Sequence, residues 1–556
     1  MAPMSVPSGL MRALSGQMGE PSEVREPSGV VREPAGLLGP PMPTDRWRAF
    51  WVATGVGLVA GVLRLWRLGE PDAVVFDETY YAKDAWALLR TGVEREWADD
   101  ANERILAGDT SGLTDAGSFV SHPPFGKWVI AAGEALQGLT PLGWRLGVAV
   151  LGTLAAVVMV LLARRVTRST ALGGLAGLLV SLDGLAITTS RIAVLDGMLM
   201  FWIVLAAALL VRDRDAARAA LARSLRGSTA EPDDPGGAAV ASSGSVAVPL
   251  WRPWRLAMGV ALGLACATKW SGVPVLAVFG LLTVVWQAGA LADAGAARPV
   301  RRALVVDAPV AFVTVVGAAA ATYLATWTGW LLGGDGYGRQ WGAQTPASTP
   351  LADLVPDALR SLTHYHAVAY QLLAELKSDH NWASSPFGWL VLQRPVLFYR
   401  DRPTAGVDGC AAEQCVSDIL ALGTPLTWWL GVAAVALALW RAMAHADWRG
   451  WLVVGGVAAT WLPWFAYLGR PVFSSYAVVT LPFLVLAIVL ALRVLPDAVN
   501  AWGPAVATSE RRWVWVAGVV LLGLTVAQAW YFWPIWVGEP LPLEQWRLRI
   551  WLPGWS

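Results

Sequence analysis

Apolar runs of roughly 20 residues recur along most of this chain of 556 residues. A helix of about that length crosses the roughly 30 Å of hydrocarbon in a lipid bilayer. The composition agrees, since 55% of the residues are hydrophobic, 15% are charged and the mean hydropathy is +0.49. We therefore predict an all-α polytopic membrane protein with eleven transmembrane helices. The predicted spans lie near residues 49–68, 143–163, 170–190, 192–211, 254–273, 274–291, 304–328, 424–441, 450–468, 473–493 and 513–533.

The arginines that flank these runs predict the orientation of the chain, because cytoplasmic loops carry an excess of Lys and Arg. With eleven spans, the flanking arginines fall on one side, which places the N-terminus in the cytoplasm and the C-terminus outside. These arginines are Arg46, Arg48, Arg164, Arg165, Arg168, Arg212, Arg214, Arg218, Arg252, Arg255, Arg298, Arg301, Arg302, Arg441, Arg449, Arg493, Arg511 and Arg512.

The spans and their loops predict a division of the chain into segments. Residues 1–44 are rich in Pro, Gly, Ser and Glu and predict a disordered cytoplasmic tail, and the low-complexity residues 227–248 predict a cytoplasmic linker. Residues 45–330 form a first membrane module, and its outer loop is 69–142. Residues 331–423 form a second outer loop, and residues 424–556 a C-terminal transmembrane module. Amphipathic helices are expected in both outer loops.

Asp77 and Glu78 are adjacent acids that directly follow the first predicted span. Asp is a favoured helix N-cap and Glu suits the first turn, so they could simply begin an amphipathic helix that ends near Gly92. Alternatively, a carboxylate close to hydrocarbon is partly desolvated and therefore more basic, which suits a general base for a hydroxyl nucleophile. A cap also fixes the position of the acid, so both interpretations stay open.

Other charged or polar side chains lie at the same depth, near the outer ends of the spans. Charged residues inside a membrane are rare and usually mark a site, although a single one could extend to the interface. Several cations and acids near one face indicate a pocket for an anionic headgroup. The residues in question are Arg64, His122, Lys127, Arg145, Arg191, Asp196 and Lys269.

Several motifs in this order resemble the protein O-mannosyltransferases, most closely their actinobacterial branch. In the first half they are VVFDETYYAKDA, HPPFGKW, GWR, SRIAVLDG and ATKWSGV. In the second half they are SSPFGWLVLQRPVLFY, CAAEQC, WLPWFAYLGRPVFSSYAVVTLPFLVLA and WRLRIWLP. The resemblance covers nearly the whole chain from about residue 46.

This resemblance implies a GT-C type membrane glycosyltransferase. The expected donor is polyprenyl-phosphate mannose and the expected acceptor is a Ser or Thr hydroxyl of an exported protein. Asp77 matches the family's base and Glu78 its neighbour, and this acid pair is the expected catalytic set. Arg145 and Lys269, with Arg64, are expected to hold the donor phosphate. The residues expected to contact the sugar or the acceptor are His122, Lys127, Arg191, Asp196, His380 and Arg394. Asn381, Ser474 and Ser475 depart from the family pattern.

The expected reaction is a single displacement that inverts the anomeric carbon, and a phosphate leaving group needs no general acid. Cys410 and Cys415 lie in the second outer loop, where an oxidising exterior favours a disulfide over two free thiols. The outer histidines lack the spacing of a zinc site. No metal ligand set is therefore predicted, and a divalent metal stays an open alternative. We also single out Trp382 and Trp389 as candidates for acceptor binding.

The resemblance also implies a multi-pass protein of the bacterial plasma membrane with an extracytoplasmic site. Its expected partners are membrane lipids, the lipid-linked donor, Ser/Thr-rich exported polypeptides and the export machinery. The net charge of +1 gives no indication of nucleic-acid binding. One alternative is a GT-C transferase of another sugar or to a lipid acceptor. Another is a transporter of lipid-linked substrates, which predicts charges throughout the membrane depth instead of near one face.

Overall fold

The computed structural model describes residues 37–227, 250–377, 379–407, 409–500 and 510–556. Its first part contains, in chain order, α1 (Arg46–Leu65), α2 (Glu78–Thr91), β1 (Arg95–Trp97), α3 (Ala101–Leu106), β2 (Leu113–Gly117), α4 (Phe125–Gln137), α5 (Pro141–Thr167), α6 (Thr170–Ser181), α7 (Gly184–Arg191) and α8 (Leu195–Gly227). The next part contains α9 (Pro253–Thr268), α10 (Val273–Asp293), α11 (Pro299–Thr326), α12 (Thr328–Leu332), α13 (Trp341–Gln344), α14 (Pro350–Asp353) and α15 (Asp357–Glu375).

The last part follows a second outer loop that includes strands. It contains β3 (Val396–Asp401), β4 (Cys415–Ala421), α16 (Pro425–Ala444), α17 (Trp448–Trp461), α18 (Leu481–Asn500), α19 (Glu510–Val537), β5 (Leu541–Pro542) and α20 (Leu543–Arg549). Short 3-10 turns at Trp270–Gly272, Leu462–Tyr467 and Ser474–Thr480 continue three of these helices.

Eight of the described helices are long and apolar enough to cross a membrane, and they correspond to α1, α5, α8, α10, α11, α16, α18 and α19. Helices α6 and α7 meet at a bend of 59° and make a ninth if they form one span. The two other predicted spans, 254–273 and 450–468, correspond to α9, with 16 residues, and α17, with 14 residues. Both are shorter than the roughly 20 residues of a typical span, so the count of eleven stays a prediction.

The helix boundaries follow from local capping chemistry. Thr140 and Ser169 accept hydrogen bonds from the backbone N–H groups of Gly143 and Leu172, which begins α5 and α6. Helix α2 ends at Gly92, where φ is 81°, and glycine adopts this left-handed conformation at little cost. The amphipathic helix that the sequence predicts after Asp77, with its stop at Gly92, is therefore confirmed.

A buried aspartate joins the two halves of the bundle at the α6–α7 bend. Asp183 accepts a hydrogen bond from Ala186 N at 3.1 Å and so caps α7. Its other oxygen accepts from Thr424 N at 2.9 Å and from Trp428 Nε1 at 2.8 Å, at the start of α16. A buried carboxylate is stable only when its oxygens are hydrogen-bonded. Asp183 therefore connects the start of the C-terminal module to the first half of the bundle.

The outer loops also contain two small antiparallel sheets, which the all-α prediction did not include. Strands β1 and β2 pair within the first loop, whereas β4 lies between β3 and β5 in a three-stranded sheet. Cys415 is paired with Pro542, so this sheet joins the second outer loop to the segment after the last span. Sequence patterning misses such a pairing because the two strands lie far apart in the chain.

Two predicted disordered segments lie largely outside the described residues. These are residues 1–36 of the predicted tail 1–44 and residues 228–248 of the predicted linker 227–248. Residues 37–44 are described, and they make contacts with the membrane module. Leu37 is buried and its carbonyl accepts a hydrogen bond from Arg218, while Arg164 donates to Pro43 O and Asp45.

Candidate active site

Asp77 and Glu78 begin α2 but have entirely different surroundings. Glu78 is fully buried, and its two carboxylate oxygens accept hydrogen bonds from the backbone N–H groups of Val75 and Ala193, both at 2.9 Å. The same oxygens meet Arg145 Nε at 2.8 Å and Arg145 Nη2 at 2.9 Å. Glu78 therefore holds the loop, α5 and the start of α8 together, and no face of its carboxylate is open to a substrate.

Arg145 uses its whole guanidinium inside the protein. Besides the two bonds to Glu78, its Nη1 donates to Leu68 O at 3.3 Å and Pro71 O at 2.9 Å, and its Nη2 donates to Ala73 O at 2.9 Å. A guanidinium has five N–H donors, and these contacts occupy them all. The phosphate role of Arg145 stays a prediction that this geometry does not favour, because the side chain is buried and its donors are all bonded within the protein.

Asp77 occupies the N-cap position of α2, yet its side chain makes no capping hydrogen bond. It instead faces Lys269 and Asp196, with the Tyr81 hydroxyl one turn further along α2. Burial raises the pKa of Asp77 from 3.8 to about 6; Lys269 and Tyr81 lower the pKa and Asp196 raises it further. Asp77 is therefore a carboxylate whose basicity exceeds that of an ordinary aspartate but which is ionised near neutral pH.

Lys269 and Asp196, whose charges both act on Asp77, form an ion pair with each other. Lys269 Nζ lies 2.8 Å from Asp196 Oδ1 and 3.1 Å from Oδ2. The same ammonium lies over the Tyr476 ring, 3.8 Å from the ring centroid. Such a contact attracts a cation to the face of the ring. The α8 carboxylate and the ring before α18 thus hold the Lys269 ammonium in one position.

A cavity of about 430 Å³ opens beside Lys269. Most of its wall is apolar or aromatic, and a second cation, Arg470, lies on it. Arg470 donates to Leu373 O at 2.5 Å and, among the described residues, forms no salt bridge. The apolar and aromatic lining residues are Trp270, Val273, Pro274, Tyr370, Leu373, Ala374, Ala459, Pro463, Trp464, Tyr467 and Tyr476. Two cations on an apolar cavity suit an amphiphilic anion.

His122 lines the same cavity, and its ring centroid lies 6.3 Å from that of Tyr81. Burial lowers the pKa of His122 well below 6.5, and the charges of Lys269, Lys127 and Arg470 lower it further. Its imidazole is therefore neutral at physiological pH and can both donate and accept a hydrogen bond. The structure thus brings together four of the predicted site residues, which are Asp77, His122, Asp196 and Lys269.

Two other predicted site arginines bind backbone carbonyls. Arg64 is fully buried and donates to Ala60 O, Val180 O and Ser181 O, which connects α1 to the α6–α7 bend. Arg191 donates to the carbonyls of Leu63, Arg64, Trp66 and Arg67 at the end of α1. The phosphate role of Arg64 and the substrate role of Arg191 stay predictions that this geometry does not favour, because both guanidiniums stabilise helix ends.

Lys127 is also committed within the protein. Its Nζ lies 2.6 Å from Glu94 Oε1 and 3.8 Å from Asp84 Oδ2, and it donates to His122 O at 3.2 Å. The side chain is 1% exposed, so its burial does not favour the contact with sugar or acceptor, which stays a prediction. Its bond to the His122 carbonyl instead fixes the loop that carries the imidazole.

The predicted residues of the second outer loop do not line this cavity. The exposed His380 ring packs on Phe473, with the centroids 4.8 Å apart. Arg394, also exposed, donates to Asn381 O at 2.5 Å and lies 5.8 Å from the centroid of the Trp382 ring. Trp389 is 1% exposed and donates to Ser384, so an acceptor cannot stack on it. The substrate roles of His380 and Arg394 remain predictions.

The remaining predicted features are a disulfide and two serines. Cys410 and Cys415 are disulfide-bonded, next to the start of β4. Ser474 and Ser475 are buried in the turn before α18, which also carries Tyr476. Within the described ranges, no group of three or more His, Cys, Asp or Glu side chains could hold a metal ion.

Sequence reasoning did not single out Arg470 and Tyr476, which both line the cavity. Arg470 stands in GRPVFSSY, ahead of an apolar run, where it resembles an ordinary interfacial arginine. The available signal was its place in a motif on the same outer side as Lys269. Tyr476 directly follows the singled-out Ser474 and Ser475, and its contact with Lys269 depends on the packing of distant segments.

The chain has close relatives among known proteins. Residues 55–225 match the family described as dolichyl-phosphate-mannose-protein mannosyltransferase, and residues 358–555 match the C-terminal four-TMM region of protein-O-mannosyltransferase. The polyprenol-phosphate-mannose–protein mannosyltransferase of Mycobacterium tuberculosis is 36% identical over 92% of this chain and 93% of the relative. The protein of the same description from Corynebacterium glutamicum is 30% identical over 86% of this chain and 88% of the relative.

A solved structure shares the fold. It is the S. cerevisiae protein O-mannosyltransferase Pmt1–Pmt2 complex bound to the sugar donor, which matches with a TM-score of 0.68 and 14% identity over 94% of both chains. The protein is thus a multi-span membrane protein of the GT-C glycosyltransferase fold. Since a relative more than 30% identical aligns over nearly all of the chain, the chain belongs to the dolichyl-phosphate-mannose-protein mannosyltransferase family.

Proposed function

We propose that this protein transfers mannose from polyprenyl-phosphate mannose to Ser or Thr hydroxyls of exported polypeptides, with Asp77 as general base. The observation that carries the proposal is the position of Asp77 beside Lys269, next to an apolar cavity with cations at Lys269 and Arg470. The names of the relatives support the donor and the protein acceptor.

The cavity supports a lipid-linked donor. Its apolar and aromatic wall offers a surface for isoprenoid units, which gain free energy when they leave water. Lys269 and Arg470 offer two cations for the phosphate at one end of the lipid. This assignment replaces Arg145 and Arg64 by Arg470 and retains Lys269. His122 and Asp196, which lie beside the same cations, are placed to bind sugar or acceptor hydroxyls.

The proposed reaction is a single displacement. The acceptor hydroxyl oxygen attacks the anomeric carbon of mannose and loses its proton to Asp77. The bond between the anomeric carbon and the phosphate oxygen breaks, and its electron pair leaves with the phosphate. Lys269 and Arg470 balance the negative charge that develops on that oxygen. Attack opposite the leaving group inverts the anomeric configuration.

The proposed location is the bacterial plasma membrane, with the site on the extracytoplasmic side. The arginine-flanked ends of the predicted spans support this orientation under the positive-inside rule. Asp77, Asp196 and Lys269 all lie at the opposite ends of their spans or in the loops there. An acceptor that reaches this side is an exported chain, and an unfolded one exposes its Ser and Thr. We therefore also propose that the protein acts beside the export machinery.

The test measures mannose transfer from synthetic polyprenyl-phosphate mannose to a Ser/Thr-rich peptide by the purified protein. Asp77→Asn removes the base at nearly constant volume, and we expect a loss of about 10²–10⁴-fold in kcat. The matched control is Asp72→Asn, since Asp72 is an exposed carboxylate in the same loop. If wild type transfers mannose and Asp77→Asn transfers it equally well, Asp77 is not the base.

Two further readings of the same assay test the reaction and the substrates. NMR of the glycopeptide identifies the anomeric configuration, and retention would contradict the single displacement. Wild-type protein that binds the lipid but transfers no mannose to peptide would indicate a different sugar or a lipid acceptor. Such a result would reject the proposed acceptor, whatever Asp77→Asn does.

A further inference from the structure

The residue before Asp77 has an unusual backbone conformation. Phe76 has φ 50°, in the left-handed region. A bulky residue with positive φ is uncommon, because its Cβ approaches the backbone too closely. Such residues persist where the surrounding structure holds them, and they cluster at functional sites.

The Phe76 ring contacts rings from three distant parts of the chain. Its centroid lies 4.9 Å from Phe398 in β3, 6.0 Å from Phe473 in the segment before α18, and 6.3 Å from His380 in the second outer loop. His380 and Phe473 also meet each other, at 4.8 Å. We refer to Phe76, His380, Phe398 and Phe473 as the aromatic cluster. It joins both outer loops immediately beside the candidate base.

The left-handed residue Phe76 directly precedes the two acids, Asp77 and Glu78, whose side chains have different surroundings. On one side of it, Val75 N donates to Glu78, which is fixed by Arg145. On the other side, Asp77 starts α2, and its carbonyl accepts from the backbone N–H groups of Tyr80 and Tyr81. The Asp77 side chain, which has no capping bond, faces Lys269 and Asp196.

We propose that Phe76 is a positioning residue whose ring, held by the aromatic cluster, keeps the left-handed backbone that directs Asp77 towards Lys269 and Asp196. This inference rests on the proposed function, in which Asp77 is the base. It also gives the second outer loop a role in the reaction, because Phe398 and His380 belong to that loop. Phe76 acts through its contacts with the other three rings of the cluster and needs no contact with a substrate.

A purely structural role makes a different prediction. Loss of a packed aromatic ring lowers the stability of any protein. If Phe76 only fills space, the variants that still fold will have the wild-type kcat and pH profile. A base that is displaced by about 1 Å loses on the order of 10²-fold in rate, and a base that becomes better hydrated titrates at lower pH.

The experiment compares Phe76→Ala, Phe76→Gly and Phe76→Tyr in the full-length protein. Glycine accepts the left-handed φ without strain but removes the ring and frees the backbone, whereas tyrosine keeps the ring. With Ala and Gly we expect kcat to fall about 10–100-fold, while the KM for polyprenyl-phosphate mannose changes by less than about threefold. The acid limb of the kcat profile should move to lower pH. Tyrosine should restore most of the rate.

The control variant is Phe387→Leu, which changes an exposed phenylalanine of the second outer loop outside the cluster. Asp77→Asn, assayed in parallel, separates the two proposals. If Asp77→Asn is active, the base is wrong and the positioning role falls with it. If Asp77→Asn is inactive while folded Phe76→Ala and Phe76→Gly keep the wild-type kcat and profile, only the positioning role is rejected.

A milder variant keeps the test decisive if both small substitutions prevent folding. Phe473→Leu keeps an apolar side chain but removes one aromatic partner of Phe76. We expect kcat to fall about 3–10-fold with a shifted acid limb, because the ring is held less firmly. Wild-type kcat and an unshifted acid limb in folded Phe473→Leu would overturn the proposal.

Discussion

Arg145 and Glu78 form a two-point ion pair in which both carboxylate oxygens meet the guanidinium, at 2.8 and 2.9 Å, and neither side chain is exposed. Two backbone N–H groups complete the shell around Glu78. The neighbouring Asp77 has none of these partners and instead interacts with Lys269, Asp196 and Tyr81. Glu78 therefore fixes the loop, and the different surroundings of Asp77 support the proposal that Asp77 is the base.

The first prediction concerns the pH dependence of transfer. Asp77 accepts a proton only when it is ionised, and burial raises its pKa to about 6. As the pH falls through about 6, Asp77 becomes protonated and kcat should fall. An ordinary aspartate would keep its activity down to a pH of about 4. The charged and titratable groups that face Asp77 are Lys269, Asp196, Tyr81 and Tyr476.

The measurement is kcat for mannose transfer between pH 4.5 and 8, with donor lipid at saturation, in steps of about half a unit. His122 should not contribute to the limb, because its pKa is lowered well below 6.5. His122→Asn is therefore expected to change the plateau rate but to leave the position of the acid limb in place. A limb near pH 4 would contradict the buried environment of Asp77.

The second prediction concerns stability. Glu78→Gln leaves the buried charge of Arg145 without its counterion, which costs about 3–5 kcal/mol in comparable pairs. We therefore expect a clearly lower Tm in detergent. Asp77→Asn removes an acid with a raised pKa. Because the folded state disfavours the charged form of such an acid, its replacement by a neutral side chain should leave Tm unchanged or raise it.

Thermal unfolding, monitored by tryptophan fluorescence, measures the Tm of both variants. The double variant Glu78→Gln with Arg145→Met completes the comparison, because it removes both charges and should recover part of the stability lost in Glu78→Gln. If Glu78→Gln unfolds at the wild-type temperature, the ion pair does not support the loop, and Glu78 would have to be reconsidered as a group that acts on substrate.

Hydropathy predicted where the helices lie better than how the chain turns between them. A run of about 20 apolar residues has few alternatives to a membrane helix, because a bilayer leaves no other partner for the backbone groups. The 59° bend between α6 and α7 lies within one such run. It depends on Asp183 and its partners in α16, and a hydropathy pattern contains no information about such distant contacts.

Only part of the site could be predicted, because the sequence gives no information about distant contacts there either. A charge at the outer end of a span is informative, and this signal correctly brought Asp77, Asp196 and Lys269 together. The same signal cannot distinguish a cation that faces a cavity from one that is bonded inside the protein. Arg145 and Arg191 belong to the second kind, and only the folded structure identifies their partners.

The last prediction concerns Arg470, the cation that the sequence did not single out. If it binds the donor phosphate, Arg470→Gln should raise the KM for polyprenyl-phosphate mannose. A charge-assisted hydrogen bond contributes about 1.5–3 kcal/mol, which corresponds to roughly 10–150-fold in kcat/KM. Arg470→Lys should recover part of this loss, because it restores the charge but not the forked geometry.

The control for Arg470→Gln is Arg402→Gln, which removes an exposed arginine from the same outer side. Steady-state kinetics with the lipid donor, together with binding of mannose-free polyprenyl phosphate, separates two possibilities. If Arg470→Gln binds polyprenyl phosphate more weakly than wild type does, Arg470 binds the phosphate. Unchanged binding with a lower kcat would instead mean that Arg470 acts through the segment from Arg470 to Tyr476, because that segment holds the Tyr476 ring against Lys269.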